Sequence, residues 1–420
     1  MLKFHQTLNR SRFIKLSQWM AYLLAFGIPW SNAFFHWGLY LMLIFYVISF
    51  DFLKEWRRLA QSSLVILSLV LFSLMTLKTV FSEAAFNYAW FDFKHYLKLL
   101  GIIPLVLIFK NLKECKYLFS SLLAGIAVMM LPTLLDGFGI NHFIKLSDYI
   151  RPSAAYGPGD LTYWRMHIQH GFHVVILFSA LMLAALYYPK YRIWFLLGAL
   201  MCMFDILFFI DARMALLSLI IASGFIWVFY MKSIKFFLAL IVLSSLVLGS
   251  IFMSMNSIDE RISSIYSESQ LYFVKQNKDT SGGNRLHFWK KSLEQFTKAP
   301  IFGNGSGSFK HDMIKHHDPI LTPDSPYSHA HNEYLTQLSH YGLCGALLFL
   351  SMILLALKQS IQIKDPWFSK AMFLSTVIFA MNAITDSSLH NPWECWTFIL
   401  ILSLISITSK IKGADTTSSR

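Results

Sequence analysis

The chain has 420 residues, of which 55% are apolar and only 14% charged, with a mean hydropathy of +0.51. A soluble globular chain carries about 25% charged residues, so a soluble domain is excluded and a polytopic membrane protein is predicted. The formal charge of +13 does not point to nucleic acid, and none is expected as a partner, because membrane proteins sort basic residues by side. Cys115, Cys202, Cys344 and Cys395 lie far apart and lack Cys-x-x-Cys spacing, so neither a zinc site nor a disulfide framework is expected. The basic N-terminus is not followed by a small-residue cleavage site, so the first apolar run is expected to stay as a helix.

A membrane-spanning helix needs about 20 apolar residues, or fewer where it is snug. Apolar runs predict spans at 18–32, 34–50, 64–81, 96–109, 117–135, 171–188, 193–210, 214–230 and 234–253, then at 333–357, 367–385 and 393–409. The expected fold class is therefore an all-α polytopic membrane protein with about twelve transmembrane helices. Three regions follow: 1–253 with helices 1–9 and an external loop 136–170, 254–332 as a long periplasmic loop with short amphipathic helices, and 333–420 with helices 10–12 and a cytoplasmic tail. One set of connections is rich in Lys and Arg: Lys3 to Lys15, Lys54 to Arg58, Lys110 to Lys116, Lys190 with Arg192, Lys232 with Lys235, Lys358 to Lys370, and the tail from Lys410. The alternate short connections hold almost none, so the positive-inside rule puts both termini in the cytoplasm.

The long loop carries helical patterning after residue 284. Leu286, Trp289, Leu293 and Phe296 share one face, Lys290, Lys291 and Lys298 fall elsewhere, Asn284 is a natural N-cap, and Ala299-Pro300 is a stop. Such a helix would lie along the membrane surface. Its first turn holds Arg285. Arg213 follows Asp211-Ala212 at an external hairpin tip, and Arg165 stands in Tyr163-Trp164-Arg165-Met166-His167-Ile168-Gln169-His170, just before another span. Taken alone, Arg213 suits headgroup contact or a pair with Asp211, Arg165 suits headgroup contact, and Arg285 suits an ordinary solvated loop charge. Together they line one external rim, where guanidinium groups would bind phosphate oxygens bidentately.

His331 completes the rim. With Ser328 as N-cap it would occupy the third helical position, where the helix dipole opposes protonation and favours a neutral base. His329 is a second candidate base, and Asn332 and His170 are secondary site candidates. Gly303-Asn304-Gly305-Ser306-Gly307 lacks the Gly-Lys-Ser/Thr ending of a phosphate loop and reads as a flexible turn after Pro300. The histidines between His311 and His331 do not repeat a metal spacing, so no metal is expected.

At His331 the sequence resembles the O-antigen ligase family. The family pattern of His and a polar residue, nine residues, Gly, two residues and a small residue reads here as His331-Asn332, then Gly342, Leu343-Cys344 and Gly345. Arg285-Leu-His-Phe-Trp289 followed by Pro300-Ile-Phe-Gly303-Asn-Gly305 is similar to the family's upstream segment, and Asp211-Ala-Arg213-Met-Ala215 to its arginine at a helix start. The resemblance implies a GT-C-like, metal-independent, inverting glycosyltransferase without cofactor in the bacterial inner membrane, with its active site facing the periplasm. Its donor would be an undecaprenyl-diphosphate-linked glycan and its acceptor a lipid A–core sugar hydroxyl, both entering from the membrane lipid. Arg213 and Arg285 carry over as diphosphate contacts, Arg165 more loosely, and His331 as the catalytic histidine. An O-antigen polymerase, a periplasmic protein O-oligosaccharyltransferase and, from another class, a lipid-linked glycan transporter are the alternatives. Lys78, Lys98 and Asp205 are the clear ionisable residues placed inside spans, which disfavours a transport relay.

Overall fold

The computed structural model describes residues 2–138, 167–210, 212–230, 281–316, 318 and 329–410. Every regular element among them is a helix. The first half holds α1 (Leu2–Gly27), α2 (Asn32–Ser49), the short α3 (Phe52–Glu55) and α4 (Arg57–Gln61), α5 (Ser63–Val80) and α6 (Phe86–Phe93). A 3-10 stretch (Lys94–Gly101) leads into α7 (Ile102–Ile108), followed by α8 (Leu112–Gly137), α9 (His167–Tyr187), α10 (Arg192–Phe204) and α11 (Arg213–Tyr230). Then come α12 (Ser281–Lys298), α13 (Ser308–Lys315), α14 (Glu333–Ser360), α15 (Pro366–Asn382) and α16 (Pro392–Thr408).

Among the described residues, seven helices are long and apolar enough to cross a membrane: Asn32–Ser49, Ser63–Val80, Leu112–Asp136, His167–Tyr187, Pro189–Phe209, Arg213–Tyr230 and Glu333–Ser360. The chain is thus a multi-pass membrane protein, and the expected twelve is not reached among the described residues. The first expected span is part of α1, which carries basic residues along its first half. The last two are filled by helices of 17 residues each. The span expected at 96–109 is instead a 3-10 stretch joined to a seven-residue helix. Pro104 explains the break, since its ring opposes the carbonyl four residues earlier and its nitrogen cannot donate. The span at 234–253 lies outside the described residues, as do 139–166 of the first long loop and 254–280, 317 and 319–328 of the second.

Charged contacts define one end of the bundle. Asp51 pairs with Arg10 and, at 3.1 Å, with Lys110, while Glu55 pairs with Lys110 at 2.7 Å and Arg58 at 3.6 Å. Lys116 pairs with Asp365, and Lys410 donates to the carbonyl of Gln61. Connections grouped by their basic residues in the sequence therefore meet in space. At the opposite end α14 begins, and its start is locked by an unusual joint.

Gly342 interrupts α14 with φ 63° and ψ −161°. The break frees the carbonyls of Ser339 and His340 and the amides of Leu343 and Cys344, which a continuous helix would pair with one another. The loop after Pro300 satisfies all four: Asn304 N and Gly305 N donate to Ser339 O and His340 O at 3.2 and 2.8 Å, and Leu343 N and Cys344 N donate to Pro300 O and Ile301 O at 2.8 and 3.1 Å. A Cβ on Gly342 would stand 2.4 Å from Ile301 O, and one on Gly303 (φ 68°) 2.4 Å from His340 O. The loop expected as a flexible turn is accordingly a buried backbone zip, with residues 303–310 all buried. Gly342→Ala is expected to destabilise the chain by about 3 kcal/mol or more, since Gly342 occupies a glycine-only region and has no room for a methyl group. Thermal unfolding in detergent measures this; an unchanged midpoint would refute the lock.

Candidate active site

The start of α14 differs from the expected one. Its N-cap is Asn332, whose Oδ1 accepts from Leu335 N at 3.1 Å. Ser328 lies outside the described residues. His331 therefore stands just before the cap rather than in the first turn, with φ 49°. Histidine is among the residue types that adopt this left-handed conformation more readily, and such positions cluster at functional sites. Both Ser and Asn are good caps, and the tertiary joint favours Asn332: Glu333 N donates to Ala383 O at 2.8 Å and Asp386 O at 3.2 Å.

The imidazole of His331 is 24% exposed, and its Nδ1 lies 3.5 Å from Oδ1 of Asp386. Asp386 sits in the short connection between α15 and α16, is almost fully buried, and accepts from its neighbour Ser387 N at 2.9 Å and from Asn391 Nδ2 at 2.6 Å. Burial raises the affinity of the Asp386 carboxyl for a proton. The hydrogen bond from His331 is the main influence that outweighs it and holds Asp386 below the ordinary carboxylate range. A carboxylate facing Nδ1 favours the tautomer with its proton there and turns Nε2 toward the opposite edge of the ring. Sequence reading missed Asp386. The signal was present in Asp386-Ser387-Ser388-Leu389-His390-Asn391, a polar run lacking Lys and Arg between two apolar helices.

His329, the second candidate base, is placed differently. Its Nδ1 accepts from the backbone amide of His331 at 3.3 Å, and its ring packs edge-on to His331 at 4.7 Å. It thus supports the left-handed turn. Behind it the rings of His329 and His390 lie 4.5 Å apart, and those of His390 and His95 stack at 3.8 Å. The buried Asp92 approaches His390 Nε2 and His340 Nδ1, each at 3.4 Å, and accepts from Gly307 N at 3.1 Å. Lys98 Nζ donates to His390 O at 2.6 Å. The set of buried ionisable groups is therefore larger than Lys78, Lys98 and Asp205, and it gathers behind His331.

Burial pushes His329 well below its ordinary value, and a proton there would be repelled further if His390 or His331 were charged. Burial does the same to His390, with His95 and Lys98 adding to it. Both stay neutral near pH 7. Acid charges them in the unfolded chain first, so their stabilising share is full above about pH 6.5 and is lost as pH falls below it. The unfolding midpoint in detergent should drop between pH 7.5 and pH 5, and His390→Gln should flatten that slope. An unaltered slope would remove His390 from this account.

The two described arginines reach the same end by different routes. Phe288 stacks on His331 with ring centroids 6.0 Å apart, and Arg285 precedes it by one helical turn on the same side of α12. The helix begins at least as early as Ser281, not at the expected cap Asn284. Its buried line is Phe288, Ser292 and Gln295, with Phe288 packed in a small core with Phe309 and Met313. The expected apolar stripe lies to one side of that line, and Leu293 within it is 49% exposed. Packing at the His331 joint, rather than hydrophobicity, sets the inward face.

Arg213 opens α11 and is exposed. The preceding Ala212 and following Ala215 close on Gly171 of α9, where a Cβ would stand 3.1 and 2.6 Å from their methyl carbons. Two residues on, His173 Nε2 meets Thr397 Oγ1 of α16 at 2.9 Å, which ties this corner to the helix following Asp386. His170 is fully buried, with Nε2 2.8 Å from Asp205 Oδ2. That pair braces α9 against the π-helical turn Asp205–Phe209. Arg165 lies outside the described residues.

Residues 198–350 match the model of the O-antigen ligase family. This stretch is similar to the O-antigen ligase family. It contains Arg213, Arg285 and His331, both glycines of the zip, and the whole N-terminal half of α14. An uncharacterized protein of Haemophilus influenzae is 30% identical over 152 residues, a match covering 35% of this chain and 37% of the relative. The similarity supports chemistry of the O-antigen ligase or polymerase type on lipid-linked glycans. Asp386 lies beyond the matched segment, so the family match and the geometry bear on the site through different residues.

Proposed function

We propose that the chain is an O-antigen ligase of the bacterial inner membrane, moving a preassembled glycan from undecaprenyl diphosphate to a lipid A–core sugar hydroxyl. The pairing of His331 with Asp386 carries this reading, because it gives a helix-end histidine the orientation of a general base. In the bound complex Nε2 of His331 takes the proton of the acceptor hydroxyl as its oxygen attacks the anomeric carbon. The glycosidic bond to diphosphate breaks from the opposite face, inverting the configuration, and the leaving oxygen keeps the electron pair. Arg285 and Arg213 stabilise the charge that develops on the diphosphate, and fixed guanidinium donors suit that task. Arg165 stays a looser third proposal for the diphosphate, while His170, buried against Asp205, would serve the donor side only by bracing α9.

In this reading the basic end of the bundle faces the cytoplasm with both termini, and His331 faces the periplasm. Lipopolysaccharide banding in a strain lacking the gene, complemented with the wild-type chain, tests the proposal. Loss of all capped lipopolysaccharide in the deletion, restored by the wild type, is the expected result. A surviving single-repeat cap would assign polymerisation instead, and an unchanged ladder would move the search to protein glycosylation or transport.

A further inference from the structure

The end of the bundle opposite His331 carries a cavity that the proposed reaction does not use. It holds about 200 Å³ and is lined by the cations Arg58, Lys110 and Lys410 and the polar residues Gln61, Ser62 and Ser406, with two apolar side chains and, among the described residues, no carboxylate. Ser62 caps α5, and the next residue, Ser63, accepts through Oγ from Gln359 near the far end of α14. At about 1.5 Å per residue, the 28 residues of α14 set this cavity about 40 Å from His331.

The charges around it do not balance. Among the described residues, the four cations Arg10, Arg58, Lys110 and Lys410 stand near three carboxylates, Asp51, Glu55 and Glu114; Asp51 is taken by Arg10 and Lys110 together, and Glu114 accepts from the backbone amide of Lys110 at 3.1 Å. The guanidinium of Arg58 is held in place by Leu107 O and Phe109 O at 3.2 and 2.7 Å. Those bonds orient the group without neutralising it. Burial and the neighbouring charge of Arg58 push the Lys410 ammonium below its ordinary value, as expected where cations gather without an anion between them. Phe50, Leu53 and Trp56 beside this corner are 60%, 63% and 55% exposed, an apolar surface at the height where headgroups meet acyl chains.

We propose that this cavity is a phosphate site, filled by the headgroup of an anionic phospholipid whose acyl chains lie along the neighbouring apolar surface. Charge complementarity identifies the phosphate, and the exposed Phe50, Leu53 and Trp56 favour a lipid over the free ion. The site is independent of the reaction proposed above and is read without any activity. The test titrates the detergent-solubilised full chain with phosphatidylglycerol, phosphatidylcholine or inorganic phosphate, read by native mass spectrometry. Phosphatidylglycerol should be retained, and Lys410→Glu should weaken its retention by about tenfold or more. Lys410 lies beyond the last helix, so that variant keeps the fold, and Lys110→Ala gives a second reading. Equal retention of phosphatidylcholine, or phosphatidylglycerol retention untouched in both variants, would overturn the proposal. Displacement by inorganic phosphate at equal concentration would assign the cavity to the free ion and overturn the lipid.

Discussion

His331→Ala is expected to lower glycan transfer by about 10²–10⁴-fold, the range that a positioned general base contributes, with the chain still folded in the membrane. The side chain is 24% exposed and sits before the helix cap, so its removal opens little cavity. Alanine does strain the left-handed backbone at φ 49°. Asparagine tolerates that conformation and lacks a base, so His331→Asn separates chemistry from strain. Both variants should bind the lipid-linked donor as the wild type does and fail in transfer, since donor contacts are assigned to the arginines. Transfer by purified protein with defined donor and acceptor is the measurement. Wild-type rates in His331→Asn would show that the acceptor proton leaves by another route and would end the assignment.

The parts of this site that were legible in the sequence are those whose chemistry is local. The run of apolar segments announced the helices, and alternation of basic connections grouped residues that the structure brings together around Asp51 and Glu55. The spacing from His331 to Gly342 was visible as a pattern, while its meaning was not. Gly342 is required because the loop from Pro300 to Gly305 inserts its backbone into the broken helix, a pairing between segments distant in sequence. Asp386 and Asp92 were hidden for a related reason. Each is a single carboxylate on another element, and the histidines it approaches, His331 for Asp386 and His340 and His390 for Asp92, lie far from it in the chain. Asn332 was taken as a site candidate, and its side chain caps the helix that holds His331 in place. The break before Pro104 was readable from the proline alone and was overridden by the apolar run.

The joint at Gly342 and the pair at Asp386 serve one end. Glu333 accepts through one carboxylate oxygen from Leu389 N at 2.9 Å and through the other from Gln337 Nε2 at 2.7 Å, which fastens the Asp386 connection to the first turn of α14. The zip then fixes the same helix two turns further on. His331 is thus set between a rigid helix start and a rigid loop, as a base needs if its reach to the acceptor is to be held within a fraction of an ångström.

Asp386→Asn should separate that positioning from simple structure. The amide keeps the shape of the carboxylate, and with its oxygen at the Oδ2 position it still accepts from Asn391 Nδ2, while its amino group takes the Oδ1 position that faces His331 Nδ1 and gives up the bond from Ser387 N. With its amino group toward His331 Nδ1, it would favour the tautomer whose proton sits on Nε2, the atom assigned to take the acceptor proton. The expected result is a fall in kcat of about a hundredfold or more, with KM for the lipid-linked donor little changed. A merely structural role for Asp386 would instead lower the unfolding midpoint and disturb both constants together. The ¹⁵N shifts of the His331 ring give a readout independent of turnover, because Nδ1–H and Nε2–H tautomers are distinct there. An unaltered tautomer alongside normal kcat would sink the dyad, leaving His331 with no oriented edge and the base assignment without its geometric support.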